Sequence, residues 1–196
     1  VVDPYVDAHR SGRTPNPCIE CNRHLKFDRF LDRARRLGFD AIATGHHARV
    51  TRDGAGRWQL RRAADTAKDQ SYVLHMLGQE QLARTLLPVG EMTKDEVRTR
   101  ATALGLRTAA KPDSQDVCFI TATGGRQSFL GERIELHEGQ VVDASGRPLG
   151  QVPAVELVTV GQRRGLGAGG GERRFALAVD VEARTVVVGD ESSLLR

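Results

Sequence analysis

Between Leu25 and Thr44 the chain changes periodicity from that of a helix to that of a buried strand, which excludes an all-α or all-β class for this stretch. Apolar residues at Leu25, Phe27, Phe30, Leu31, Ala34 and Leu37 follow roughly helical spacing, and Gly38 supplies a C-terminal stop. The run Asp40-Ala-Ile-Ala-Thr44 that follows is short and apolar, the signature of a strand covered on both faces in a parallel sheet. Gly45-His46-His47 then falls just past its carboxyl end, where open α/β sheets bind ligands. The class expected is therefore α/β. Arg49–Arg52 and Trp58–Arg62 flank Asp53-Gly-Ala-Gly56 as a hairpin. Helices are expected over Ser71–Leu77 and over Gln79–Leu86, the second ended by Pro88. Thr93 with Glu96 three residues on reads as a capping box, opening a helix through Leu104 that stops at Gly105.

After about Gln127 the texture becomes that of a β protein. Gln140–Asp143, Glu156–Val160, Phe175–Val179 and Thr185–Val188 read as short strands, with a turn at Ala144–Pro148. Gly165–Gly171 carries five glycines in seven residues and reads as a turn or a close-approach loop. The expected division is 1–126, 127–167 and 168–196. Hydrophobic residues at 39% and charged residues at 28% suit an ordinary globular chain, and no apolar run approaches the ~18 residues of a membrane span. The beginning, Val1–Arg13, has neither a signal-peptide pattern nor an initiating methionine, so a chain truncated in front is expected.

Three cysteines are too few for a secreted disulfide framework and point to a reducing cytoplasm with metal or redox chemistry. Two of them stand in Gly12-Arg-Thr-Pro-Asn-Pro-Cys18-Ile-Glu-Cys21-Asn-Arg-His-Leu-Lys26-Phe27. The prolines around Asn16 hold the backbone extended, so Asn16 and Cys18 are expected in a stiff loop before the helix. Cys21 is then expected near the helix N-terminus, where the macrodipole favours a reactive thiolate, assisted by Arg23, His24 and Lys26. Half of a zinc site or an inert buried pair explains the same spacing, with Cys118 and His24, His46 or His47 as further ligands. Lys68-Asp69-Gln70-Ser-Tyr72 suits phosphate or base-edge contacts, or is simply a charged helix start. Gly161-Gln-Arg-Arg-Gly-Leu-Gly167 places two guanidiniums in a loop that suits RNA phosphates, or is an exposed hairpin tip. Basic pairs at Arg61-Arg62, Arg163-Arg164 and Arg173-Arg174, within a net charge of +4, permit a polyanionic partner. Glu80, Asp95 and Glu96 show no spacing that singles them out for acid/base work.

The strings GRTPNPCIECN, DAIATGHHAR, KDQSYVLHML, KPDSQDVCFI and VTVGQRRGLG, in this order along nearly the whole chain, resemble the bacterial tRNA-specific 2-thiouridylase family, tRNA-uridine 2-sulfurtransferases. The resemblance implies part of an ATP-pyrophosphatase-type, adenine nucleotide alpha hydrolase-like parallel-sheet domain with a helical tRNA-contacting part, then a small central β domain and a partial β-barrel. It implies ATP and Mg2+, uridine adenylation at the wobble position of tRNA, and sulfur transfer fed by a cysteine desulfurase or sulfur-relay protein. By that match Cys118 is the persulfide-bearing cysteine and Cys21 the nucleophile that releases its sulfur, leaving a Cys21–Cys118 disulfide as product. Gly45 would contact ATP; His46, Lys68, Asp69 and Gln70 would contact tRNA; Asn16, Pro17 and Cys18 would lie against the target base. Some members carry Asp at position 18, whereas the three thiols Cys18, Cys21 and Cys118 would suit an iron–sulfur cluster, possible as 4Fe-4S.

Three departures from the family pattern follow. Its phosphate loop belongs upstream of Val1, so this stretch is expected to be inactive alone. Gln151, Val152 and Ala154 stand where many members have Glu, His and Gly. The chain stops at Arg196, inside what resembles the final barrel. The rival reading is a non-catalytic zinc or iron–sulfur RNA-binding module, whose cysteines only fold the protein.

Overall fold

The computed structural model describes residues 1–112, 117–120, 124–169 and 173–195, without the side chain of residue 195. Ser114, Gln115 and Asp116 of the cysteine-118 motif, Gly170 and Gly171 of the glycine-rich loop, and Arg196 lie outside the described residues. The chain forms two compact units, Cys18–Ser114 and a second made of Val1–Pro17 with Gln115–Arg196, which opens with helix α1 (Val2–Arg10).

The Cys18–Ser114 unit is built on one long helix. It is α-helical over α2 (Pro17–Cys21), π-helical over Asn22–Phe30 and α-helical again over α3 (Leu31–Arg36). This corrects the expected loop through Cys18: Pro17 starts the helix, since a first-turn proline lacks only an N–H that has no intrahelical partner anyway. The stop is where the sequence places it, with Gly38 at φ +85° and the N–H groups of Gly38 and Phe39 reaching Arg35 and Ala34 carbonyls at 3.0 Å each. Phe27, Leu31 and Ala34 recur on one face and pack with Ile42, Ala48, Val73, Leu74, Leu77 and Leu82 as the core of this unit.

The strand expected at 40–44 is only two residues, β1 (Ile42–Ala43), followed by the hairpin β2 (Ala48–Arg52) and β3 (Trp58–Arg62). In the hairpin the Asp53 carboxylate accepts the N–H groups of Ala55 and Arg57, at 3.0 and 2.9 Å. Two expected helices are shorter than their sequences suggest. Ser71–Val73 is a single 3-10 turn, because Asn22 Nδ2 takes the Val73 carbonyl at 2.9 Å and Leu77 N–H turns back to Leu74 instead. α4 (Gln79–Ala83) ends at Arg84, and Thr85–Leu86 becomes β4, paired in parallel with β1 as Ile42↔Thr85 and Ala43↔Leu86. Pairing with a distant strand overrides the helical periodicity there. α5 (Lys94–Ala103) carries the expected capping box, Thr93 N–H donating to Glu96 Oε2 at 2.7 Å and Glu96 N–H to Thr93 Oγ1 at 3.3 Å.

In the second unit α1, unmarked in the sequence reading, buries Tyr5 and Val6 with Ile120, Phe129, Leu130 and Ile134, beside α6 (Arg126–Gly131). Its sheet contains β5 (Gly139–Asp143), β6 (Pro148–Val152), β7 (Phe175–Asp180) and β8 (Thr185–Gly189) in the order β6-β5-β8-β7. β5 runs parallel to β8 and antiparallel to β6, so strands on both sides of the expected boundary at 167–168 share one sheet and one valine-rich core. Among the described residues the sheet is open rather than closed into a barrel. The strand expected at Glu156–Val160 is instead a 3-10 turn over Val155–Leu157. Buried Glu156 is held there through its carboxylate, which accepts the His137 backbone N–H at 3.0 Å and pairs with His137 Nδ1 at 2.8 Å. Among the described residues no helix is long and apolar enough to cross a membrane.

Candidate functional site

Starting the helix at Pro17 puts Cys18 in the first turn and Cys21 one turn later, three residues apart and thus on neighbouring positions of one face. Cys18 is exposed and Cys21 half-buried. The residue after Cys21 anchors this face: Asn22 is 1% exposed and, through its bond to Val73, ties the cysteine turn to the 3-10 turn following Gln70. Among the described residues its Oδ1 has no hydrogen-bond partner.

One turn further on, Lys26 Nζ lies 3.4 Å from His46 Nε2, and the Phe27 ring sits 5.7 Å from the imidazole. An ammonium only donates, so Nε2 accepts; Nδ1 then carries the proton and donates to Thr44 Oγ1 at 2.7 Å. Burial, with the Lys26 charge as a second cause, lowers the His46 pKa to about 4. At neutral pH His46 is therefore an uncharged, 7% exposed link between the cysteine helix and the end of β1. Gly45, beside it, faces open space: a Cβ built there meets nothing within 4 Å.

The Lys68-Asp69-Gln70 segment closes the same region. Gln70 Oε1 accepts His47 N–H at 2.9 Å, while Gln70 N–H donates to the His47 carbonyl at 2.8 Å. The Asp69 carboxylate accepts from Ala63 N–H at 2.9 Å and from Ser71 Oγ at 2.7 Å, and these bonds hold its pKa below the usual carboxylate value despite partial desolvation. Asp69 and Gln70 thus shape backbone, and Lys68 is the exposed member of the three. Within this unit the structure brings together the Cys18–Cys21 face, the Gly45–His47 turn and the Asp69–Val73 turn. Asn16, exposed, and Pro17, buried, end the first segment of the other unit, which also holds the exposed Cys118. Among the described residues no group of three or more His, Cys, Asp and Glu side chains is arranged to hold a metal ion. Sequence reasoning named Lys26 only as a nearby charge and missed Asn22 and Thr44. The legible signal for Asn22 was a polar residue on the inward face of an otherwise apolar helical stripe.

Residues 1–122 match the family model described as tRNA methyl transferase HUP domain, and residues 127–190 the one described as tRNA methyl transferase PRC-barrel domain. The class is thus a HUP domain joined to a PRC-barrel domain. Curated relatives named tRNA-specific 2-thiouridylase include those of Chloroflexus aggregans, 52% identical across 100% of this chain and 55% of the relative, and Beutenbergia cavernae, 50% identical across 96% and 51%. That of Mycobacteroides abscessus is 49% identical across 99% of this chain and 54% of the relative. The chain belongs to the family these two models define and is similar over its whole length to proteins named tRNA-specific 2-thiouridylase. It spans about half the length of the curated relatives it matches.

Proposed function

We propose that the full-length protein carrying this chain replaces the C2 oxygen of the tRNA wobble uridine with sulfur, at the expense of ATP. The observation that carries this reading is the roughly 50% identity, over the whole chain, to proteins named 2-thiouridylases. The family models are described by methyl transfer, but two accessible cysteines on one helix and an exposed third suit sulfur chemistry better.

In the proposed reaction the uridine C2 oxygen attacks the α-phosphorus of ATP and pyrophosphate leaves. Mg2+, bound with the nucleotide, would offset the phosphate charge. The terminal sulfur of a Cys118 persulfide then attacks C2, and AMP departs with the oxygen. The Cys21 thiolate attacks the Cys118 sulfur and breaks the S–S bond, whose electron pair stays on the transferred sulfur as the C2 thiocarbonyl forms. The remaining Cys21–Cys118 disulfide is reduced by cellular thiols, and a cysteine desulfurase or sulfur-relay protein reloads Cys118. A reducing cytoplasm is the setting this cycle needs.

Several features support the assignment of roles. The open space at Gly45, at the carboxyl end of a parallel strand, suits a nucleotide. Asn22 and Lys26 fix the helix just beyond Cys21, and Asn16, Pro17 and Cys18 lead into it, a suitable approach for the target base. His46, neutral, and exposed Lys68 would meet tRNA, with Asp69 and Gln70 setting the turn that carries Lys68. Cys18 and Cys21 supply at most two adjacent thiols on one helix, so an iron–sulfur cluster would need Cys118 from the other unit. The test is Cys118→Ser in the full-length protein. Loss of 2-thiouridine in tRNA, read by mass spectrometry, with unchanged melting temperature is expected; full activity would overturn the role of Cys118.

A further inference from the structure

We infer that the Gln162–Ala168 loop of the β unit is a preformed site for phosphates of the tRNA backbone, with Arg163 and Arg173 as its ligands. This inference rests on the proposed tRNA substrate.

The loop is ordered by contacts that leave the side chains of Arg163 and Arg164 exposed. Gln162 braces it from within: its Oε1 accepts Thr159 N–H at 3.0 Å, and its Nε2 donates to the Arg164 carbonyl at 2.8 Å. The Gly161 N–H and Gln162 carbonyl pair with Ala176 of β7, at 2.7 and 2.9 Å. Beyond the arginines Leu166 is 3% exposed and belongs to the valine-rich core. Gly167, at φ +62°, crosses β6 so closely that a Cβ on Gly150 would lie 2.0 Å from the Gly167 carbonyl oxygen. Both ends are therefore pinned, and the segment between them cannot collapse onto the sheet.

What remains exposed is positive charge. Arg163, Arg173 and Arg174 line a cleft of about 300 Å³ together with Gly165–Ala168. Among the described residues no carboxylate pairs with Arg163, Arg164 or Arg173. Guanidiniums are weakly hydrated, planar forks that match phosphate oxygens bidentately, and holding them on a braced loop lowers the ordering cost of binding. Among the described residues the lining holds no aromatic ring on which a base could stack. A free nucleotide is thus a poorer match than the sugar–phosphate backbone of a folded RNA.

The experiment compares the full-length protein with its R163A/R173A and R163K/R173K variants, measuring affinity for unmodified tRNA by fluorescence anisotropy from 50 to 300 mM salt. Each phosphate contact contributes about 0.7–0.9 to the slope of log K against log salt, so losing two should flatten it by about 1.5 and weaken binding about tenfold near 0.1 M salt. The lysine variant should recover most of the affinity, and all three proteins should melt together, because both arginines are exposed. An unchanged slope in R163A/R173A overturns the proposal. So does a raised KM for ATP with unaltered tRNA affinity, which would assign the cleft to nucleotide phosphates. If the parent protein itself neither binds nor thiolates tRNA, the reading of function fails instead, and the two failures are told apart by that control.

Discussion

The two units reach order by different means. In the β unit, strands of five or six residues repeat the same device: Val141, Val152, Val186 and Val188 point inward at 0–2% exposure, and each supports its neighbours. In the Cys18–Ser114 unit the parallel strands are two residues each, and single polar side chains join the pieces: Asn22 to Val73, Lys26 to His46, Gln70 to His47 and Asp69 to Ala63. A repeated apolar ladder tolerates local loss better than a set of one-off polar joints. The unit with the joints is the one whose turns gather on the helix that carries Cys21, so the less redundant construction coincides with the candidate site.

The largest expected effect breaks the joined unit at its apolar centre. Phe27 is 1% exposed and abuts His46, and Phe27→Ala should destabilise by about 3–5 kcal/mol. Val186→Ala, at 0% exposure in the ladder, should cost about half as much in the same denaturant titrations, in line with about 1.5–3 kcal/mol for burying one such side chain. Equal losses would remove the contrast. Next is Gly150→Ala, whose added Cβ meets the backbone of Gly167; overpacking of that kind costs about 1–3 kcal/mol and should lower the melting temperature.

A pH titration sharpens the comparison. His46 is neutral in the fold down to about pH 4, whereas an unfolded histidine protonates near 6.5. Below 6.5 the unfolded chain takes up the proton first, so this contribution to stability is complete above 6.5 and is lost as pH falls towards 4. His46→Gln should flatten the stability curve in that window, and an unaltered slope would refute the assignment. In the β unit the corresponding group is Asp143, whose pKa is lowered to about 2, chiefly by the Ser145 hydroxyl and then by the Arg147 N–H. Its contribution should be lost only between about pH 4 and 2, and Asp143→Asn should remove that acid limb. The smallest effect is Thr93→Ala, about 1 kcal/mol from the α5 cap.

The sequence by itself determined whatever depends on neighbours along the chain. The Thr93–Glu96 capping box, the Gly38 stop, the Asp53 hairpin and the strands at 139–143, 175–180 and 185–189 are local patterns of side-chain chemistry and alternation. The ordered motifs likewise made the family legible, and with it the cysteines as candidates. Tertiary structure decided the parallel pairing of β1 with β4 and of β5 with β8, the conversion of Thr85–Leu86 from helix to strand, and the burial that neutralises His46. It also decided that Asp69 and Gln70 hold backbone while Lys68 faces solvent. The physical reason is that a backbone group or a buried polar atom takes its partner from whatever segment is packed beside it. Residues 42 and 85, or 26 and 46, carry no mark of each other until the chain between them has folded.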